Sequence, residues 1–257
     1  MRFTPVAMLC ASVLVFAAGC SNNGQQASQQ QQTKAEAPAM KIDPATAATL
    51  RGVVKFAGSP KATAIDMSMD PACGAKAQQS ESVVVDNGKL ANTLVYVKAG
   101  LGNYTFETPK AEAIIDQSGC RYHPHVLAVM VNQPVTILNS DNAMHNVHPT
   151  PKQNGNKEWN RSQGPKAEPL RTSFSASEIM LPLKCNQHPW MRMYISVLPH
   201  PFFAVTDKDG KFEIAGLPPG TYTLAAVHER LGEQEQQITV APKKDAIAEF
   251  SFSESGS

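Results

Sequence analysis

Aromatic residues are scarce in this chain of 257 residues, which has two tryptophans and five tyrosines. A sugar-binding platform needs exposed aromatic faces, and only Trp159 and Trp190 are on offer, so a surface carbohydrate-binding module ranks last among the functions considered. An excess of one charge is missing as well, with 23 Lys and Arg against 22 Asp and Glu. That balance gives no reason to expect nucleic acid or an anionic membrane face as partner. No long stretch places apolar residues at the 3.6-residue spacing of an amphipathic helix. No constellation of nucleophile, base and acid suggests substrate turnover, and the chain reads as a non-enzyme.

What is present begins with an address. Arg2 is followed by the apolar stretch VAMLCASVLVFAAG, too short to span a bilayer and laid out like a secretory signal over residues 1–19. The small residues leading into Cys20 resemble a bacterial lipobox, although Ala17 stands where Leu is commoner. An ordinary signal cleaved near Ala18 is the alternative. Lipidation of Cys20 would anchor the mature chain to a membrane, each acyl chain contributing about 0.8 kcal/mol per buried CH₂. Ser21 beside it implies, by the rule for such lipoproteins, the outer membrane of a bacterial envelope, facing the periplasm or the cell surface.

The address sorts the five cysteines. Cys10 leaves with the signal, Cys20 carries lipid, and Cys185 lies in the run KCNQHPWM. Cys73 and Cys120 remain, an even pair in an oxidising compartment, for which a disulfide is the default. Such a bridge would stabilise by roughly 4 kcal/mol in the chain-entropy model. The rival reading makes one of the two an additional metal ligand.

Residues 20–45 are polar, rich in Gln and Ala, and cannot bury enough surface to offset their ordering entropy, so they read as a flexible tether. Beyond them short β-branched runs alternate with turns. LRGVVKF, ESVVVDNGKL, ANTLVYVKAG, HVLAVMV, PVTILN, MYISVL, FFAV, KFEIAG, TYTLAAV and QQITV all have strand character. Asp86-Asn87-Gly88, Asp209-Gly210 and Pro218-Pro219-Gly220 mark tight turns. The expected fold class is all-β, built of sandwiches or Greek-key barrels.

The segment AVTDKDGKFEIAGLPPGTYTLAAVHERLGEQEQQITV resembles the carboxypeptidase regulatory-like, transthyretin-like sandwich, with its TD-x-DG-x-F-x-I strand, LP-x-G-x-Y-x-L hairpin and closing strand. LRGVVKFAGSP resembles that family's opening strand, and TLVYVK its second. The resemblance implies one sandwich made from residues 46–105 and 201–257, with residues 106–200 inserted between. The alternative gives residues 46–105 to the inserted domain as extra strands.

The insertion carries the chemistry. Cys185, His188 and Met191 fall in one short run, and the pair His145-Asn146 lies in NSDNAMHNVH upstream. One thiolate, two imidazoles and a thioether form the ligand set of a trigonal copper site with a weak axial sulfur, acceptable to both Cu(I) and Cu(II). Zinc would prefer a fourth His, Cys or carboxylate to a thioether. A catalytic Cys-His pair would leave the methionine and the distant His-Asn unexplained.

Residues 106–200 resemble the cupredoxins, with amicyanin nearest in local pattern. The spacing Cys-x2-His-x2-Met, with Pro189 after the histidine, is the amicyanin form. The plastocyanin form would select Met193 instead, and Met191 is preferred here, with Met193 as core. Leu183 stands where the family usually has an aromatic. The resemblance implies a Greek-key sandwich holding one mononuclear copper ion through His145, Cys185, His188 and Met191. It also implies that Asn146 ties the two ligand loops together, and that an exposed edge of His188, framed by Pro189 and Trp190, meets a redox partner protein.

The expectation is therefore a lipid-anchored one-electron carrier. The alternatives are copper storage, delivery or sensing. His123, His125, His148, His200 and His228 read as structural or surface residues, and Met67 and Met69 as core in preference to a Cu(I) acquisition site.

Overall fold

Alternation of apolar and polar residues is cleanest at the C-terminal end. Along strand Ala246–Ser253 the side chains of Ala246, Ala248, Phe250 and Phe252 are buried, and those between them are exposed. The period of two puts one face of this strand on a core. It runs parallel to strand Ala48–Ala57, from Leu50 opposite Ala246 to Ala57 opposite Ser253. The other edge of Ala48–Ala57 is shared by the antiparallel strand Lys211–Leu217 and, at Lys55, by the short strand Lys89–Leu90.

The structure is a computed structural model and describes residues 40–254 apart from 75, 76 and 154. The signal stretch, Cys20 and most of the expected tether lie outside the described residues. The end of that tether is tied down: Met40 bridges to Tyr104, and Ile42 packs against the first core. Every regular element among the described residues is a strand, and the fold is all-β.

Glycine is required at two points in the first sheet. A Cβ on Gly52 would lie 2.1 Å from the Ala248 carbonyl oxygen and 2.3 Å from the Phe212 ring, so only glycine allows the three strands to meet there. Asn87 and Gly88 both have positive φ, 48° and 70°, the requirement of the tight hairpin that joins Val85–Asp86 to Lys89–Leu90.

Facing this sheet is a second one, ordered Phe203–Val205, Leu94–Ala99, Gly220–His228 and Gly232–Val240. Between them Leu50, Val54, Phe56, Phe202, Phe212, Tyr222, Leu224 and Phe252 form a continuous core. Each such large side chain contributes roughly 1.5–3 kcal/mol by leaving water.

The intervening strands build a second sandwich. One sheet is ordered Leu170–Thr172, Val135–Asn139, Ala113–Gln117 and Tyr122–His123. The other is ordered Arg161–Gln163, His145–Pro149, Glu178–Lys184, Arg192–Leu198 and Val126–Met130. Ile115, Ile137, Val147, Leu181, Leu183, Ile195 and Val197 fill the space between. A buried amide pair crosses it too, Gln117 Nε2 donating to Gln163 Oε1 at 2.7 Å. Leu94, Tyr96, Ala225 and Val227 of the first sandwich pack with Leu198 of the second.

Candidate metal centre

The first imidazole is positioned by a buried side chain. Asn139 ends strand Val135–Asn139 and donates through Nδ2 to the carbonyls of Ala143, Gln163 and Gly164 at 2.8–3.1 Å. Its Oδ1 accepts the Asp141 N–H at 3.0 Å. These bonds shape the polar turn that delivers His145 to the first position of strand His145–Pro149, where it is fully buried.

The sulfur and the second imidazole arrive on one loop. Cys185 follows strand Glu178–Lys184, and its N–H donates to the Met191 carbonyl at 3.1 Å. Met191 N–H in turn donates to the His188 carbonyl at 2.9 Å. The loop is thereby closed on itself, with Cys185, His188 and Met191 all buried. Met191 and Met193 belong to the same core cluster as Cys185, and Met193 sits two residues further on, opposite Leu183.

The two loops converge. His145 Nδ1 lies 3.0 Å from His188 Nδ1, and Cys185 Sγ lies 3.6 Å from the same His188 nitrogen. Ligand atoms of His145, Cys185 and His188 are all within 4.8 Å of one another. Asn146 donates its backbone N–H to Cys185 Sγ at 3.2 Å, and its side chain bonds Asn160 and Ser162. The Tyr122 hydroxyl donates to the Asn146 carbonyl. Burial and the nearby Cys185 push the Tyr122 hydroxyl pKa well up, so it stays a donor.

Both outer nitrogens meet carboxylates that sequence reading did not single out. His145 Nε2 is 2.9 Å from Asp141 Oδ2, and His188 Nε2 is 3.0 Å from Asp70 Oδ2. The hydrogen bond from His188, then that from the Ala72 N–H, holds the Asp70 carboxyl below its usual range. Burial lowers the His145 pKa, against the opposing pull of Asp141.

This arrangement fits a metal. Assigning the proton of each neutral ring to Nε2, toward its carboxylate, leaves a lone pair on each Nδ1. Two lone pairs then face each other at 3.0 Å beside a cysteine sulfur. Such a contact is unfavourable without a cation to bridge it, and a carboxylate behind a ligand imidazole is the usual means of orienting it.

Cys73 and Cys120 form a disulfide, with Cα atoms 5.5 Å apart, and neither is a thiolate ligand. The expectation of an exposed His188 edge is corrected. His188 is 2% exposed, because Asp70 and Cys73 cover it, Cys73 Sγ lying 3.7 Å from Nε2. Trp190 is half-buried, its ring centroid 5.0 Å from that of His188, and its Nε1 donates to the Cys120 carbonyl at 3.1 Å.

The remaining histidines lie away from this cluster. His148 bonds Asn186 and Glu158, His123 bonds the Ser118 carbonyl, and His125 bonds Glu229. His200 bonds the Val97 carbonyl at 2.8 Å in the first sandwich. Met67 is core, whereas Met69 is 73% exposed, against expectation.

Comparison with known proteins gives a family match and a set of structural neighbours. Residues 193–253 match the carboxypeptidase regulatory-like domain. The match begins inside strand Arg192–Leu198, which belongs to the second sandwich. No curated protein matches the chain.

Structural neighbours are cupredoxins. A copper-containing nitrite reductase from Thermus scotoductus SA-01 is 22% identical over 39% of this chain, with a TM-score of 0.31. The chain spans a quarter of that reductase's length, 25%. A reduced tryptophan-to-tyrosine mutant of amicyanin is 23% identical, covering 35% of this chain and 86% of its own, with a TM-score of 0.31. A purple cupredoxin from Nitrosopumilus maritimus is 23% identical, covering 33% of this chain and 98% of its own, with a TM-score of 0.28.

Proposed function

We propose that this chain is a mononuclear copper protein that carries single electrons. The observation that supports it is the pair of Nδ1 atoms, 3.0 Å apart beside the buried sulfur of Cys185, with a carboxylate behind each ring. His145 Nδ1, Cys185 Sγ and His188 Nδ1 would hold the ion, with Met191 as the weak fourth ligand. Thiolate and thioether favour Cu(I), imidazole suits either state, and the bound ion would supply a one-electron couple.

The protein's own contribution is rigidity. His145 is fixed by the Asn139 turn and Asp141, Cys185 by the Asn146 amide, and His188 by Asp70. Ligands locked from behind move little when the charge between them changes. Burial of every ligand favours retention of the metal over its surrender to an acceptor, which supports carriage over storage or delivery.

A partner protein would exchange electrons at the half-buried Trp190, whose ring lies tilted against that of His188 and faces a cleft of about 680 Å³ lined also by Ile65, Met69, Arg192 and Tyr194. On this reading the second sandwich is an insertion in the first, a reading supported by the pairing of Ala48–Ala57 with Lys211–Leu217 and Ala246–Ser253. The address of the chain implies a lipid on Cys20 and a site facing the periplasm or cell surface. The copper reading carries with it the expectation of a non-enzyme.

The test is to add Cu(II) to the metal-free full-length protein in detergent and record its visible spectrum. An intense thiolate-to-copper band should appear at one copper per chain and vanish in Cys185→Ser. Wild-type protein that binds oxidised copper yet stays colourless would sink the proposal.

A further inference from the structure

His188 is sealed by a strap that lies outside the sandwich sheets. Residues 66–74 hang between strands Ala64–Ile65 and Gln78–Gln79, which pair only with each other. The strap is shaped by its own aspartates: Ser68 N–H donates to Asp66 Oδ1 at 2.9 Å and Ala72 N–H to Asp70 Oδ1 at 2.8 Å. The Cys73 and Gly74 N–H groups close the turn on the Asp70 carbonyl at 2.9 and 3.1 Å. Asp70 thus uses Oδ1 to hold its own turn and keeps Oδ2 for His188.

Three residues on, Cys73 ties the strap to Cys120, and Met67 packs beside the bridge with Ala143. Cys120 in turn donates its backbone N–H to Asp141 Oδ2 at 2.8 Å, the oxygen that also meets His145. The disulfide and the Cys120–Asp141 hydrogen bond together therefore link the two carboxylates that stand behind the two imidazoles.

We propose that Asp70 is a positioning residue of the copper centre. It fixes the His188 tautomer with Nδ1 turned inward, sets a negative charge behind that ligand, and with its strap denies partners the imidazole edge. The charge and access statements rest on the copper reading above, whereas the tautomer statement stands without metal. Removing a nearby negative charge disfavours the more highly charged Cu(II) relative to Cu(I).

The experiment uses the full-length protein and the variants Asp70→Asn and Asp70→Ala. In the metal-free protein, ¹⁵N chemical shifts of the imidazoles at neutral pH should show His188 of wild type as a single Nε2–H tautomer. Asp70→Asn keeps one acceptor oxygen; with that oxygen turned to His188 it should preserve the tautomer at the cost of the Ala72 bond, and Asp70→Ala should give a mixture. In the copper-loaded protein both variants should favour Cu(I) over Cu(II) by about tenfold more than wild type, a rise of about 59 mV in a one-electron potential.

Asp70→Asn retains the side chain's shape, so a potential that moves there with an unchanged His188 tautomer separates charge from positioning. A single unchanged tautomer in Asp70→Ala overturns the proposal, as does a potential that stays put in both variants. If wild type takes up no copper, the copper reading fails and the tautomer measurement alone decides whether Asp70 positions His188.

Discussion

Asn146 and Cys185, 39 positions apart, are joined by an N–H···S bond of 3.2 Å. The residue that follows one imidazole therefore holds the sulfur, and a shift of either loop is felt by both. The same peptide is gripped on its other side by the Tyr122 hydroxyl, which donates to the Asn146 carbonyl.

Tyr122→Phe isolates that grip. The ring still fills its buried place, but the Asn146 carbonyl loses its hydroxyl donor. A buried acceptor left without a partner costs about 1–3 kcal/mol. Denaturant unfolding of the metal-free variant should show a loss of that size, while copper titration should still give one ion per chain. A stability equal to wild type would mean that the carbonyl finds another donor.

Gly52→Ala tests the junction of the first sandwich. The added Cβ would fall 2.1 Å from the Ala248 carbonyl oxygen, a backbone atom that cannot step aside without breaking the parallel ladder. Overpacking of this kind costs about 3 kcal/mol or more. The expected result is a large drop in thermal midpoint. A normal midpoint would show that the two strands are not in this register.

These two sites show what was legible and what was not. Cys185 and His188 share a short loop, so their proximity follows from chain connectivity, and His145 was marked by its Asn and the preceding polar turn. The disulfide was legible by elimination among five cysteines.

Asp70 was not, because its contact with His188 spans 118 positions and no local spacing encodes it. Without that strap in view, the His188 edge looked exposed. Asp141 had a local signal, four residues before His145 in the same turn, but aspartate in a turn normally serves the backbone.

Some strands were hidden for local reasons. Glu178–Lys184 contains Pro182 and a bulge near Met180, whose φ is 53°. Ala246–Ser253 is masked by Ile247, an isoleucine 83% exposed on the polar face. ESVVVDNGKL, expected as strand on either side of its Asp86-Asn87-Gly88 turn, forms only two-residue ladders flanking that turn.

The disulfide between Cys73, at the end of the strap, and Cys120 closes a loop of 47 residues. In the chain-entropy model such a cross-link stabilises by about 4 kcal/mol, acting mainly on the unfolded chain. The double variant Cys73→Ser/Cys120→Ser should therefore unfold at markedly lower denaturant. It should also release copper to a chelator faster than wild type, because the strap over His188 loses its tether. Unchanged release with lowered stability would assign the bridge to folding alone.

His228 supplies a pH dependence whose sign can be worked out. Its ring is 1% exposed, Nδ1 accepts the Arg230 N–H at 3.2 Å, and Nε2 has no partner among the described residues. Burial lowers its pKa from 6.5 to about 4, with Glu229 pulling it up and His125 and Arg230 pushing it down.

Between those values the unfolded chain binds a proton that the folded one refuses, so stability rises with pH across this window and is lost as pH falls from 6.5 towards 4. The shift corresponds to roughly 3 kcal/mol at full extent. His145 and His200, also lowered by burial, add slopes of the same sign. Unfolding of metal-free wild type and His228→Leu should therefore be compared at pH values on either side of the window. The variant should lose most of the 3 kcal/mol difference attributed to His228, keeping the slope due to the other histidines and, at the acid end, to carboxylates such as Asp70. Equal pH slopes in the two proteins would show that His228 titrates alike folded and unfolded, and that its burial is relieved by local opening.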